Sequence, residues 1–266
     1  ISNLDKRNER RAEVAAMIDR VDPDVLLLIE IGEAWAEALD EVRGRFNHRL
    51  EAIREDGLGL ALWSKLPMTD PHVRHLVSER RPSMIADLHL ADGQALRFIG
   101  IHPTPPGLPV DGDDDRYDSR IRDAELMKVG YETANDPERP WIVAGDFNDV
   151  AWSHTTTMFE EVSGLLDPRK GRKLLNTYHA ERPLLRYPLD QIFVSPGFRV
   201  GRFERVRAPG SDHFAVLAEL ELHREHAEAD PKKGEEIHDH SQDLVEDGVE
   251  DAAERDERSG SERSMA

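Results

Sequence analysis

The sequence contains no cysteine, and no window approaches 18 consecutive apolar residues. The first absence excludes a disulfide framework, a thiolate metal site and a thiol nucleophile. The second excludes a membrane-spanning helix within this chain. Residues 223–266 also lack phenylalanine, tyrosine and tryptophan, and they carry 15 acidic against 6 basic side chains. Because such a segment buries too little apolar surface to offset its ordering entropy, we expect a disordered acidic tail.

The remaining residues, 1–222, are numerous enough for one large domain and carry 39 acidic and 29 basic side chains. This negative balance counts against non-specific binding of long duplex DNA, which needs clustered positive charge. It still permits a local basic cleft. Bound divalent cations would also reverse the sign of the charge at an acidic site.

The chain begins at Ile1, and its first three residues, Ile-Ser-Asn, resemble the end of a strand. No signal peptide is present in the sequence as it stands. We therefore expect that an upstream segment has been removed, and a membrane or targeting segment is one candidate for it. This expectation favours an extracytoplasmic or membrane-anchored location, and we expect a monomer.

Apolar periodicity predicts many strands interleaved with helices. A helix-spaced pattern in residues 9–21 is followed by a continuous apolar run in residues 25–29, which is typical of a buried strand. The Asp92-Gly93 pair predicts a tight hairpin between two strands. Further helices are predicted near residues 33–42, 120–134 and 155–166, and further strands near residues 48–53, 58–64, 83–90, 95–102, 140–145, 188–195, 198–208 and 213–222. This pattern indicates an α/β domain with mixed sheets covered by helices.

Polar side chains stand at the ends of several predicted strands, where packing does not require them. They are Asn3, Glu30, His102, Asp146, Asn148, Asp190, Asp212 and His213. In α/β domains, ligands collect at strand ends, because loops there hold side chains on a rigid platform. Carboxylate and carboxamide oxygens suit Mg²⁺, Mn²⁺ or Ca²⁺. Such an ion neutralises charge on a phosphoryl group while a carboxylate or a histidine activates water.

Taken singly, each of these residues is more typical of a turn, a helix cap or a solvated surface than of a catalytic centre. Their order along the chain carries the functional interpretation. "DVLLLIE" ends in Glu30, "GDFN" contains Asp146 and Asn148, and "SDHFAV" contains Asp212 and His213. This ordered set resembles the endonuclease/exonuclease/phosphatase superfamily over essentially the whole body of the chain. The resemblance implies a four-layer α/β sandwich, in which two packed mixed β-sheets are flanked by helices.

The resemblance also implies a metal site. Glu30 is expected to be the principal ligand, with Asn3 beside it. Asp212 is expected to bind metal as well or to orient His213, which would contact the phosphate. The expected cofactor is Mg²⁺ or Mn²⁺, with Ca²⁺ as a further alternative.

The same resemblance implies a hydrolytic mechanism. Asp146 is expected to orient or deprotonate the attacking water, and Asn148 to hold a phosphoryl oxygen. His102 is expected to bind the phosphate or to protonate the leaving group, with support from Asp190. Water would then attack in line while the metal absorbs the developing charge.

Two positions depart from the family pattern. Gln191 follows Asp190 where the family commonly has histidine or tyrosine. Ile29 stands where glutamine usually precedes the metal-binding glutamate, so a supporting hydrogen bond to Glu30 is expected to be missing.

We expect a divalent-metal-dependent phosphoester hydrolase, with a phosphodiesterase or nuclease favoured. A phosphomonoesterase, a lipid-headgroup phosphodiesterase and a catalytically weak binding domain remain alternatives, because the fold alone does not select a substrate. Arg116, Arg120 and Arg122, downstream of the proline-rich loop after His102, are candidates for binding substrate phosphate. A solvated charged loop and helix start explain these arginines equally well.

Overall fold

The computed structural model describes residues 1–106, 119–172, 174–223 and 235–264. These residues contain eleven strands and six helices. The strands are β1 (Ser2–Asn3), β2 (Val25–Ile29), β3 (His48–Ala52), β4 (Leu60–Ser64), β5 (Met68–His75), β6 (Pro82–His89), β7 (Ala95–Ile101), β8 (Trp141–Asp146), β9 (Asp190–Val194), β10 (Phe198–Arg207) and β11 (Phe214–Leu222). The helices are α1 (Arg11–Val21), α2 (Glu33–Ala38), α3 (Asp40–Arg43), α4 (Arg120–Ala134), α5 (His154–Ser163) and α6 (Glu235–Ser264).

The strands form two mixed sheets. One contains β3, β4, β2 and β1 side by side, and backbone hydrogen bonds between Ile1 and Val216 add β11 and β10 beyond β1. The other has the order β5-β6-β7-β8-β9. The β1–β2 and β7–β8 pairs are parallel, and the other ladders within these sheets are antiparallel.

The two sheets pack face to face, and helices cover their outer faces. The inner core contains Leu27, Ile29, Leu60 and Leu62 from one sheet and Met84, Leu96, Phe98, Ala144 and Ile192 from the other. Helices α1 to α3 bury Val14, Ile18, Trp35 and Leu39 against the first sheet. Helices α4 and α5 bury Leu126, Met127, Met158 and Phe159 against the second. These layers confirm the predicted four-layer α/β sandwich.

The predicted hairpin at Asp92-Gly93 joins β6 and β7. Gly93 has a φ of +85°, which glycine adopts without steric cost, and the Leu90 N–H donates to the Gln94 carbonyl over 2.8 Å. Strand β5 was not predicted, because its alternation is interrupted. The ladder with β6 shifts register between Thr69 and His72, on either side of a proline.

The expected disordered tail differs from the structure. Residues 224–234 lie outside the described residues, whereas α6 packs along α4. The stripe of α6 that faces the body contains the small or apolar side chains of Ser241, Leu244, Val245, Gly248 and Ala252.

Close approach of the two backbones explains how this stripe holds α6. A Cβ atom at Gly248 would lie only 2.3 Å from the Cβ of Ala124. Arg120 also donates a hydrogen bond of 2.9 Å to Asp251, which is 3% exposed. Tight packing and a charge-assisted hydrogen bond therefore supplement Leu244 and Val245 in a segment that has no phenylalanine, tyrosine or tryptophan. None of the described helices is both long enough and apolar enough to cross a bilayer.

Candidate active site

The "GDFN" segment places Asp146 and Asn148 at the end of β8. A Cβ at Gly145 would lie 1.9 Å from the carbonyl oxygen of Ile101 on β7, so this position accepts only glycine. Asp146 is 2% exposed, and its Oδ1 accepts the Asn148 N–H over 3.0 Å. This local hydrogen bond holds Asn148 in the left-handed region, at a φ of +51°.

Asn3 joins two carboxylates on one side of the site. Its Nδ2 donates to Glu30 Oε1 over 3.2 Å and to Asp146 Oδ2 over 3.1 Å. Glu30 itself has a φ of +64°, a conformation that is costly for a side chain of this size and that clusters at functional sites. Burial raises the pKa of Glu30, and the nearby Asp146 carboxylate adds to the increase, against hydrogen bonds from Lys6 and Asn3. Two crowded carboxylates of this kind favour a bound cation.

His213 and Asp190 form a buried pair beside Asp146. His213 Nδ1 lies 2.7 Å from Asp190 Oδ2, and Nε2 lies 3.6 Å from Asp146 Oδ2. Burial opposes the charge on His213, but the carboxylates of Asp190 and Asp146 outweigh it and raise the pKa of His213 to about 10. Asp190, which we expected to support His102, therefore contacts His213 instead. It also takes the orienting role that we considered for Asp212.

His102 directly follows β7 and is only 8% exposed. Burial lowers the pKa of His102 to about 4, so its imidazole is neutral at pH 7. Within the described residues, its Nδ1 has no hydrogen-bond partner. A neutral imidazole with an open nitrogen suits hydrogen bonding to substrate better than protonation of a leaving group.

Arg81 is a residue of the site that sequence reasoning missed. Its Nη1 donates to the carbonyls of His102 and Pro103 over 3.0 and 3.2 Å. Asn148 Nδ2 donates to the same Pro103 carbonyl over 2.9 Å, so the arginine and the carboxamide lie side by side. Burial lowers the pKa of Arg81, while the carboxylates of Glu125 and Asp146 oppose this decrease. Among the described residues, the other N–H groups of this guanidinium donate to no further group.

Asp212 lies half-buried next to His213, on the side of Asp5. Its backbone carbonyl accepts the Ala180 N–H over 2.6 Å. Burial raises the pKa of Asp212, and the neighbouring Asp5 carboxylate acts in the same direction, against His213. Its placement beside a second carboxylate is compatible with the expected metal-binding role.

The candidate phosphate-binding arginines have different outcomes. Arg116 lies outside the described residues, and Arg120 bonds to Asp251 of α6. Arg122, two residues further along α4, supports the site instead. Its Nη1 donates to the Asn148 carbonyl over 3.1 Å and lies 3.5 Å from Asp149 Oδ1.

The two departures from the family pattern have structural explanations. Gln191 donates to the Asp149 carbonyl over 2.8 Å and accepts from Arg169 over 2.7 Å, which braces the loop after β8. Ile29 is fully buried between the sheets. Glu30 is held without the usual glutamine, by Asn3 and by the Lys6 N–H, which donates over 3.1 Å.

The donor atoms of the site fit a divalent cation. One ligand atom from each of Asp146, Asp190 and His213 lies within 4.8 Å of the others. Asp190 Oδ1 is buried without a hydrogen-bond partner among the described groups, which is costly unless a cation or a ligand contacts it. Glu30 and Asn3 supply further oxygen donors on the other side of Asp146. The oxygen-rich set suits Mg²⁺ or Mn²⁺.

A four-layer sandwich that gathers carboxylates, carboxamides and two histidines at its strand ends defines a class of metal-dependent phosphoester hydrolases. The chain belongs to this class as a member of the Endonuclease/Exonuclease/phosphatase family, whose family model matches residues 2–213. No curated protein sequence matches the chain.

Several solved structures share its fold. TDP2 of D. rerio, complexed with a single-strand DNA product, is 18% identical, with a TM-score of 0.66 over 83% of this chain and 96% of that chain. Truncated TDP2 of Caenorhabditis elegans is 18% identical, with a TM-score of 0.60 over 81% of this chain and 93% of that chain. The mannosyl-6-phosphatase Bt3783 of Bacteroides thetaiotaomicron VPI-5482 is 20% identical, with a TM-score of 0.61 over 80% of this chain and 91% of that chain. At these identities the likeness shows the fold alone.

Proposed function

We propose that the protein is a divalent-metal-dependent phosphodiesterase in which Asp146 activates the attacking water. The position of Asp146 between the two halves of the site carries this proposal. Its Oδ2 lies 3.1 Å from Asn3 Nδ2 on the metal side and 3.6 Å from His213 Nε2 on the other. A buried carboxylate in that position is placed to take a proton from water as the water attacks phosphorus.

The neighbouring side chains are placed to bind the metal ion and the phosphate group. We assign the divalent ion to Glu30 and Asn3 rather than to the group of Asp146, Asp190 and His213, because His213 is charged and paired with Asp190. The ion would neutralise charge on the phosphoryl group. Asn148 and Arg81, which lie side by side, would hold its non-bridging oxygens. His213, fixed by Asp190, would donate a hydrogen bond to the phosphate.

The charge of the cleft supports a diester over a monoester. Three carboxylates of the cleft, those of Glu30, Asp146 and Asp190, outnumber its two cationic side chains that we assign to the phosphate, Arg81 and His213. His102 is neutral at pH 7, and Arg122 is paired with Asp149. A phosphodiester carries one negative charge, whereas a monoester carries close to two at neutral pH. The TDP2 structure with a single-strand DNA product supports a nucleic-acid strand as the first diester to test, and the mannosyl-6-phosphatase supports a monoester as the alternative.

Matched chromogenic substrates test the proposal. We expect hydrolysis of bis(p-nitrophenyl) phosphate and of single-stranded DNA that requires Mg²⁺ or Mn²⁺ and stops with chelator. We expect slower hydrolysis of p-nitrophenyl phosphate. A faster monoester reaction with no diester reaction would overturn the diesterase assignment while leaving the hydrolase class in place.

A neighbouring pair of arginines provides a matched control for the phosphate-binding role. Arg81→Met is expected to raise KM for the diester by roughly tenfold, because it removes a charge-assisted hydrogen bond. Arg80→Met changes the adjacent, exposed arginine and is expected to leave KM unchanged. Equal KM values for the two variants would exclude Arg81 from substrate binding.

A further inference from the structure

The loop of residues 178–187, named here the rim loop, has an apolar tip. It turns at Arg182-Pro183-Leu184-Leu185, where the Leu185 N–H donates to the Arg182 carbonyl over 3.0 Å. Proline suits the second position of such a turn. The turn leaves Leu184 97% exposed and Leu185 54% exposed, which makes Leu184 the most exposed large apolar side chain among the described residues. Adjacent exposed leucines of this kind mark an interaction surface.

The base of the rim loop is fixed against the active site. Tyr178 and Tyr187 form a backbone bridge, and the Thr177 N–H donates to the Tyr187 carbonyl over 2.9 Å. The ring of Tyr178 lies 4.9 Å, centroid to centroid, from the ring of His213. The apolar tip is therefore held at the edge of the catalytic cleft.

Three arginines gather around one aromatic ring beside this loop. The guanidinium carbons of Arg186, Arg205 and Arg207 lie 5.1, 4.6 and 5.4 Å from the centroid of the Phe214 ring. Phe214 directly follows the catalytic His213 in the chain. Burial lowers the pKa of Arg205, and repulsion from the neighbouring Arg186 lowers it further.

Few acidic groups balance these arginines. Within the part of the chain that the structure describes, the one ion pair that they make is between Arg207 and Glu181, at 3.7 Å. Arg186 and Arg205 donate to backbone carbonyls, of His179 and Ala180 and of Asn176 respectively. A positive patch therefore stands next to the active site of a chain whose net charge is −19.

We propose that the rim loop, whose turn also exposes Arg182 beside Leu184, binds an anionic lipid surface together with Arg205 and Arg207 and holds the active site against it. The leucines and the arginines suit different layers of such a surface. The exposed leucines of the tip would enter the boundary of the acyl chains, while the arginines would contact the anionic headgroups. A nucleic-acid strand would satisfy the arginines but would leave Leu184 in water. The proposal concerns binding and holds for whichever phosphoester the site cleaves.

Vesicle co-sedimentation tests the proposal with the full chain, in chelator so that metal ions do not bridge protein and lipid. The probes are vesicles of phosphatidylcholine with and without phosphatidylglycerol. We expect binding only when phosphatidylglycerol is present, weakened about tenfold by Leu184→Ser and about fivefold by Arg182→Gln. Leu166→Ser, a half-exposed leucine at the opposite end of β9 from Asp190, and Arg202→Gln, which is paired with Glu204, are the controls and should bind as wild type.

Hydrolysis of soluble bis(p-nitrophenyl) phosphate separates this proposal from the proposed function. The rate of this hydrolysis should be unchanged in all four variants, because none of the substituted residues touches the cleft. If the wild type does not hydrolyse the diester, that result would contradict the phosphodiesterase assignment alone. Failure of the wild type to bind anionic vesicles, or equal binding by Leu184→Ser and Leu166→Ser, would overturn the lipid proposal. Binding of single-stranded DNA that depends on Arg182, without vesicle binding, would also overturn it and assign the patch to nucleic acid.

Discussion

Replacement of Glu125 by glutamine should remove a large pH dependence of folding stability. Glu125 lies on α4, is 1% exposed, and accepts the Thr104 N–H over 2.8 Å just after His102. Burial raises the pKa of Glu125 from 4.5 to about 7, although Thr104 and Arg81 oppose the increase. The folded state therefore binds this proton more tightly than the unfolded state does. The resulting stabilisation is complete below about pH 4.5 and is lost as the pH rises through about 7.

The shift corresponds to about 3 kcal/mol of unfolding free energy. Urea denaturation of the wild type and of Glu125→Gln, in chelator and at intervals from about pH 5 to about pH 8, measures it. Glutamine retains an oxygen acceptor for Thr104, so the variant should fold. We expect the wild type to lose up to about 3 kcal/mol relative to the variant over this range. Parallel stability curves for wild type and variant, like those expected for the exposed Glu37→Gln control, would refute the reasoning.

Three further substitutions test the fold and the site. Gly145→Ala should lower the free energy of unfolding by about 2–4 kcal/mol, measured by thermal denaturation, because its Cβ would overlap a carbonyl of β7. A variant as stable as the wild type would contradict this close contact between β8 and β7. Asp190→Asn should lower kcat for the diester about a hundredfold while the far-ultraviolet circular dichroism is retained, because His213 loses its charged partner; unchanged kcat would remove the pair from the mechanism. Gly248→Leu should separate α6 from α4 at Ala124 and make α6 sensitive to limited proteolysis, whereas wild-type resistance would argue against the helix contact.

Much of the fold was predictable because its signals are local. Continuous apolar runs identified the buried strands, and Asp92-Gly93 identified the hairpin between β6 and β7. Helix α6 was not expected, since Ser241 and Gly248 do not count as hydrophobic in a periodicity analysis. Their contribution to helix packing depends on Ala124 and the α4 backbone, which lie far away in the sequence.

The members of the site were more predictable than their pairings. The polar residues that follow apolar strands could be named from the sequence, but the Asp190–His213 contact depends on register. The β8–β9 ladder places Asp190 opposite Asp146, and β11 then brings His213 to both. Arg81 gave no signal, because its role arises from carbonyls at the end of another strand, at His102 and Pro103.

The central claim is that Asp146 activates water in a metal-dependent hydrolysis. The most direct test is kcat/KM for bis(p-nitrophenyl) phosphate in Mg²⁺ or Mn²⁺, measured for the wild type and for Asp146→Asn, with Asp136→Asn as a surface control. Asparagine keeps the shape of the side chain and removes its basicity, so kcat/KM should fall by about a thousandfold or more while the control is unaffected. A value for Asp146→Asn close to that of the wild type would contradict the account.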